Sequence, residues 1–216
     1  MTTPEIIGSA RSTYTWAIRL LCEEKGIAYT LTETPLRAPE LLAIHPFGKM
    51  PVLRHDGFEL FESKAIATYL DRSFGGPELL PSEPRLLALT EQWVSLVNTL
   101  IDRTLIRTYL FAYIAPKTAD GTPDRAAIEA VMPAVRAQIA VLDKAVAKTG
   151  HLVDDLFTFA DINLLPILYR LKQAPEGALA LAAAPNLARY YERHAARPSF
   201  ARTTPPGGPP PRAKGG

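Results

Sequence analysis

The chain is short of several things, and each shortage narrows what it can be. It has one cysteine, Cys22, in 216 residues, which excludes an internal disulfide framework and fits a reducing compartment. It has no excess of one charge sign, because 24 basic and 22 acidic side chains leave a formal net charge of +2. That surplus is too small to signal nucleic acid, and no basic run with interleaved aromatics is present. No apolar run approaches the roughly 20 residues needed to cross a bilayer. The opening residues, MTTPEIIGS, lack a basic region followed by a long apolar segment. No secretory signal is therefore expected, and a cytoplasmic location is. The four histidines (His45, His55, His151 and His194) are scattered without metal-ligand spacing, so no metal is assigned.

Proline is plentiful, with 20 residues, and it helps to divide the chain. The length suits one large domain or two small ones. Glu5 to Gly8 reads as a short buried strand, followed by the hydroxyl-rich Ser9 to Thr15. From Trp16 the pattern is helical, with Ile18, Leu21 and Cys22 on one face and Gly26 as the stop. Residues 27–32 (IAYTLT) alternate as a half-buried strand does. Strand, helix, strand makes a βαβ unit with parallel strands. Pro35, Pro39, Pro46 and Gly48 then leave room only for a short, irregular helix. Val52–Arg54 and Glu59–Phe61 flank Asp56-Gly57, a strong hairpin-turn signal. Ile66, Tyr69 and Leu70 recur at helical spacing. The order βαβ(α)ββα describes an α/β thioredoxin-like domain over residues 1–78.

A linker is expected at 79–84, within the proline-rich GGPELLPSEP. After it the chain reads as an all-α domain over 85–204. An apolar stripe runs through 85–114, and residues 124–148 carry apolar positions at spacings of three and four. The segment 158–171 is apolar nearly all round, as a central buried helix is. Thr158 and Asp161 can form its capping box, with Phe157 and Ile162 as a hydrophobic staple. A last helix is expected from about 185 to 197. Residues 205–216 form a Pro/Gly-rich tail expected to be disordered.

The functional centre of gravity is His45 to Ser63, HPFGKMPVLRHDGFELFES. A loop, a hairpin and a helix N-terminus within one short stretch bring bare backbone groups and a positive helix end to one spot. That combination suits a small peptide-like anion.

Four motifs in this order resemble the cytosolic glutathione transferase superfamily, as a serine-type, bacterial-like member. They are S-x-x-x-x-x-I-R at Ser12–Arg19, HPFGKMPVL at His45–Leu53, ESKAI at Glu62–Ile66 and FTFADI at Phe157–Ile162. The resemblance implies an enzyme that activates glutathione as a thiolate for conjugation to a hydrophobic electrophile. The alternatives are a glutathione-dependent isomerase or peroxidase, or a non-catalytic interaction protein. It implies a cis bond before Pro51, with the Met50 backbone pairing to glutathione like an added strand. Glu62 and Ser63 would hold the γ-glutamyl end, and Lys49 the glycine carboxylate. Ser12 would be the catalytic hydroxyl, with Ser9 and Tyr14 as neighbours able to compete for that role. Ser12 and Ser63 are equally of the type that caps helices, and Lys49 of the type that is simply solvated. Tyr14 would line the co-substrate pocket together with Arg103, Arg107, Tyr109 and Tyr113, which are spaced to share a face in part. Cys22, on the apolar face of its helix, reads as an inert core thiol. The family further implies a homodimer, with Asp102 placed to reach the partner's glutathione.

Overall fold

The computed structural model describes residues 2–116 and 118–206. Most of the tail expected to be disordered, 207–216, lies outside these described residues.

Strands β1 (Glu5–Gly8), β2 (Thr30–Glu33), β3 (Val52–His55) and β4 (Phe58–Phe61) form one mixed sheet in the order β2-β1-β3-β4. β1 runs parallel to β2 and antiparallel to β3, and the register sets Ile6 opposite both Leu31 and Leu53. Helix α1 (Thr13–Lys25) makes the crossover and α2 (Pro39–Leu42) is a single turn, and α3 (Ser63–Ser73) follows the hairpin. Asp56 and Gly57 both have positive φ, 50° and 77°, as a two-residue hairpin turn requires.

The second strand differs from the expected 27–32. Gly26 adopts φ 70° and donates to Glu23 O, while Ile27 N–H bonds back to Cys22 O at 2.8 Å. This pair of bonds closes α1 in a Schellman motif. The first apolar residue of the alternating run is therefore spent on helix closure, and the strand forms three residues later on the sheet's exposed edge.

The stretch expected as a linker is fastened from within. Lys25 Nζ and Asp71 Oδ1 form a buried pair at 3.0 Å, and the Asp71 carboxylate also accepts the N–H groups of Leu79 and Leu80. Leu79 and Leu80 are buried, and Leu79 O accepts from Phe159 N. Buried charges of this kind stand only when their remaining hydrogen-bonding capacity is filled, as it is here.

The helical part comprises α4 (Pro84–Leu96), α5 (Phe111–Ile114), α6 (Arg125–Val146), α7 (Phe159–Lys172), α8 (Pro175–Ala182), α9 (Pro185–Ala195) and α10 (Pro198–Thr203). Between α4 and α5 the helix continues with π-type bonding at Val97–Ile101 and Arg103–Leu110. The spacing predicts one α-helix over 85–114, whereas its middle is wound more widely. Thr108 Oγ1 accordingly donates to Arg103 O, and Arg107 pairs with Asp102, both at i,i+5. α7 is buried nearly throughout, and Thr158 and Asp161 form the expected capping box. The helix expected at about 185–197 forms as α9, and a further short helix that the spacing does not signal, α10, begins at Pro198 and packs on α1. There Trp16 Nε1 donates to Thr203 Oγ1 at 2.8 Å, and the Arg197 guanidinium grips the Glu24 carboxylate. Among the described residues no helix is long and apolar enough to cross a membrane.

Candidate active site

The chain leaves β1 at Gly8, where the backbone of one loop nearly touches its neighbours. A Cβ there would lie 2.7 Å from Thr15 Oγ1 and 3.1 Å from Met50 Cβ, so only glycine fits without displacement. Ser9 N–H then points at Met50 Sδ, 3.1 Å away, and Ala10 N–H at Glu33 Oε1, 2.8 Å away. The turn closes with Ser12 N–H donating to Ser9 O, and Ser12 becomes the N-cap of α1. Its Oγ accepts from Thr15 N–H at 3.3 Å, and the residue is half-buried. Arg170, a buried arginine on α7, donates to Arg11 O at 3.0 Å and so anchors this loop from the helical side. Burial lowers the guanidinium pKa from its usual value.

The Met50-Pro51 peptide is cis, as expected. Met50 is half-buried just before β3, and Lys49 is exposed beside it. Across from them, Glu62 and Ser63 open α3. The N-cap here is Glu62 rather than Ser63, and Ser63 is the first helical residue, 6 % exposed. Glu62 has φ 69° and ψ 116°, a left-handed conformation that a side chain normally avoids. Its carboxylate is exposed, and His45 Nε2 lies 3.6 Å from Oε1. His45 is buried, with Nδ1 accepting from Phe47 N–H at 3.0 Å and its ring against Phe61. With Nδ1 an acceptor, the neutral ring carries its proton on Nε2, the nitrogen facing Glu62. His45 stands inside the recognised motif, but its neighbourhood with Glu62 spans the hairpin and leaves no mark in local spacing.

The proposed co-substrate residues separate. Tyr14 and Arg107 meet, with the guanidinium carbon 5.8 Å from the ring centre, and Tyr14 OH points to Asn98 O at 3.4 Å. Burial and the Asp102 charge hold the Tyr14 phenol above the usual tyrosine range, against the opposing pull of Arg107. Tyr109 and Tyr113 turn the other way. Tyr109 OH accepts from Gly177 N–H and donates to Glu176, Tyr113 OH also donates to Glu176, and Arg125 completes the group. These two tyrosines hold α8 rather than line a cleft, and Arg103 is exposed. Wider π-type turns change which residues share a face, and α-helical spacing mis-sorts them. Asp102 is likewise drawn inward, 4 % exposed and 2.9 Å from Arg107 Nε of its own chain. Asn163 on α7, unmarked in the sequence, donates to Asn98 at 2.8 Å behind this cluster.

Cys22 is buried, and burial pushes its thiol up to about 12, so it stays protonated as expected. The histidines are less scattered than their spacing suggests. His151 and His194 converge with Asp161, their potential ligand atoms all within 4.8 Å. The Asp161 carboxylate is already taken by Leu152 N–H, Thr158 N–H and Tyr190 OH, and the group belongs to the capping structure of α7.

A mixed four-stranded sheet with a cis-proline beside its central strands, followed by a helical domain whose central helix opens on a buried capping box, defines the glutathione transferase class. The glutathione S-transferase N-terminal domain model matches residues 6–78 and the C-terminal domain model residues 102–198. The chain is 32 % identical over 162 residues to glutathione S-transferase GstB of Escherichia coli K12, spanning 74 % of this chain and 75 % of that one. It is 29 % identical over 203 residues to glutathione S-transferase 3 of Zea mays, 86 % of each chain. A theta class glutathione S-transferase from Xanthomonas axonopodis pv. citri, solved with glutathione bound, superposes with a TM-score of 0.81 at 26 % identity, covering 94 % of this chain and 98 % of that one. The chain belongs to the cytosolic glutathione S-transferase superfamily.

Proposed function

We propose that this enzyme binds glutathione along the His45–Ser63 stretch and activates its thiol through Ser12 for conjugation to a hydrophobic electrophile. The observation that carries the reading is the double duty available to Ser12. As N-cap it uses a lone pair to accept from Thr15 N–H, which leaves the hydroxyl proton free to donate to sulfur. The site is also the N-terminal end of α1, whose unpaired N–H groups favour a negative charge.

A free thiol titrates near 8.5, and only the thiolate attacks. A hydrogen bond to a charged acceptor is worth about 1.5–3 kcal/mol. At about 1.36 kcal/mol per pKa unit, that lowers the thiol by one to two units. The thiol proton passes to solvent, and with an aryl halide the sulfur pair forms the new C–S bond while halide leaves with the electron pair of the carbon–halogen bond. Glutathione's cysteinyl backbone pairs with Met50, its α-carboxylate faces the N–H groups of α3 and Ser63 Oγ, its ammonium meets Glu62, and Lys49 takes the glycine end. The exposed Leu36, Leu42 and Phe47 support pairing with a second copy.

Ser12→Ala tests the reading. Turnover of an aryl halide should fall at least ten-fold near neutral pH while the dissociation constant for glutathione changes less than three-fold. Undiminished turnover across the pH range refutes the role of Ser12, and no glutathione binding by the wild type refutes the site.

A further inference from the structure

Arg107 and Asp102 have no task in the reading above, yet they are placed with care. Arg107 Nε donates to Asp102 Oδ2 at 2.9 Å, while its guanidinium lies 5.8 Å from the Tyr14 ring centre and 5.3 Å from that of Phe111. The group is thus held from three sides, with one of its five N–H donors engaged among the described residues. Its side chain is 46 % exposed, and the bond to Asp102 uses Nε, so the terminal NH2 groups are not spent on that contact. Asp102 is the reverse case: its side chain is 6 % exposed and Oδ1 has no hydrogen-bond partner. Asp102 also faces the Tyr14 phenol, which its charge helps to raise, and a buried carboxylate with one oxygen unpaired is costly to bury.

An anchored guanidinium with a free fork is suited to a planar oxyanion, because the geometry matches and little side-chain freedom is left to lose. The flanking Tyr14 and Phe111 rings offer flat apolar walls beside it. Tyr14 lies two residues after Ser12, so Arg107 packs against the first turn of the helix that Ser12 caps.

We propose that Arg107 is a specificity-determining residue that selects electrophiles bearing a carboxylate on an aromatic or otherwise flat apolar body. The inference rests on the glutathione-conjugating reading and adds the substrate class. The carboxylate takes no part in bonding changes. With an aryl chloride the thiolate sulfur bonds to the ring carbon, and chloride leaves with the electron pair of the C–Cl bond. Asp102 tethers Arg107 but also offsets its charge, so the two residues act on anion preference with opposite sign.

The test uses a matched pair of substrates, chlorodinitrobenzoate and its neutral carboxamide, and reads the ratio of their kcat/KM values, so that intrinsic reactivity cancels between variants. Arg107→Gln should lower the benzoate-to-amide ratio about five-fold, equivalent to about 1 kcal/mol. Asp102→Asn should raise the ratio at least two-fold. An unchanged ratio in Arg107→Gln, or a ratio that falls in Asp102→Asn as it does in Arg107→Gln, overturns the proposal. If neither compound is turned over, the conjugation reading fails instead, and calorimetric binding of the two pre-formed glutathione conjugates still reads Arg107. Equal affinities of wild type for those conjugates overturn the proposal on that route.

Discussion

Arg170 of the central helix donates to the backbone carbonyl of Arg11 at 3.0 Å, across 159 residues of sequence. Its other nitrogen reaches Gln173 Oε1 at 3.2 Å, and the side chain is otherwise buried. The residue before the proposed catalytic serine is therefore held by the helical domain and not by the sheet. Arg170 acts as a positioning residue for Ser12, and its positive charge adds to the field at the N-terminus of α1.

Arg170→Met should leave glutathione affinity within about two-fold and lower turnover five- to ten-fold. It should also raise the pKa of bound glutathione, read from thiolate absorbance, by about half a unit to one unit. Arg170→Lys should recover part of both effects, because it keeps the charge and loses the fork. A stability loss with no change in the bound thiol pKa would reduce Arg170 to a packing role.

Glu62 offers a separation of stability from binding. Its φ of 69° is strained for a residue with a side chain, at about 1–3 kcal/mol. Glycine adopts such angles freely but loses about 0.5–1 kcal/mol of chain entropy on folding. Glu62→Gly should therefore unfold at higher denaturant, by about 1 kcal/mol. The same variant should bind glutathione at least ten-fold more weakly, because the carboxylate assigned to the ammonium is gone. Urea titration and calorimetry on one protein sample check both halves.

His45 extends that argument to a second residue. Nδ1 holds Phe47 N–H and Nε2 faces Glu62, so the ring ties the proline-rich loop to the head of α3. His45→Ala should raise KM for glutathione several-fold and leave kcat at saturation nearly unchanged, as expected when ground-state and transition-state binding are lost together. A fall in kcat with KM preserved would place His45 elsewhere in the mechanism.

The parts legible in the sequence were those encoded by near neighbours. The Asp56-Gly57 turn, the Gly26 stop, the Thr158–Asp161 box and the run of apolar residues in α7 are each specified within a few residues, and each formed as read. The misreadings had other physical sources. Gly26 served as the stop that was expected, but its Schellman closure consumed Ile27 and shifted β2, a competition that periodicity alone does not resolve. Around Arg103–Leu110 the helix widens, so Tyr109 and Tyr113 rotate onto Glu176 instead of facing Tyr14. Arg170 was a charge in an otherwise apolar helix, a signal available in the sequence but without its partner. His45 with Glu62, and His151 with His194, are joined only by the fold.

The last two histidines make the acid side of stability testable. His194 is buried against His151, Tyr190 and Phe157, with Arg193 and Arg197 nearby, and its Nε2–H donates to Gly150 O. Burial first, and the neighbouring cations after it, push His194 down to about 4. An unfolded histidine titrates near 6.5. Between those values the unfolded chain binds a proton that the folded chain refuses, so this group makes stability fall as pH drops through the window, by up to about 1.4 kcal/mol per pH unit. His151, also lowered by burial, acts with the same sign. Asp161 opposes them, because burial raises its carboxyl to about 6 from an unfolded value near 3.9. Between those pH values the folded state takes up a proton that the unfolded state does not, and stability rises on acidification. The wild type should therefore show a shallow dependence from about pH 6 to 4. His194→Gln, which keeps a donor for Gly150 O, should remove one of the opposing terms. Its stability relative to wild type should improve steadily as pH falls from 6.5 to 4. Urea unfolding at half-unit pH steps reads this difference directly, and parallel curves for the two proteins would show that folding leaves the His194 pKa unshifted.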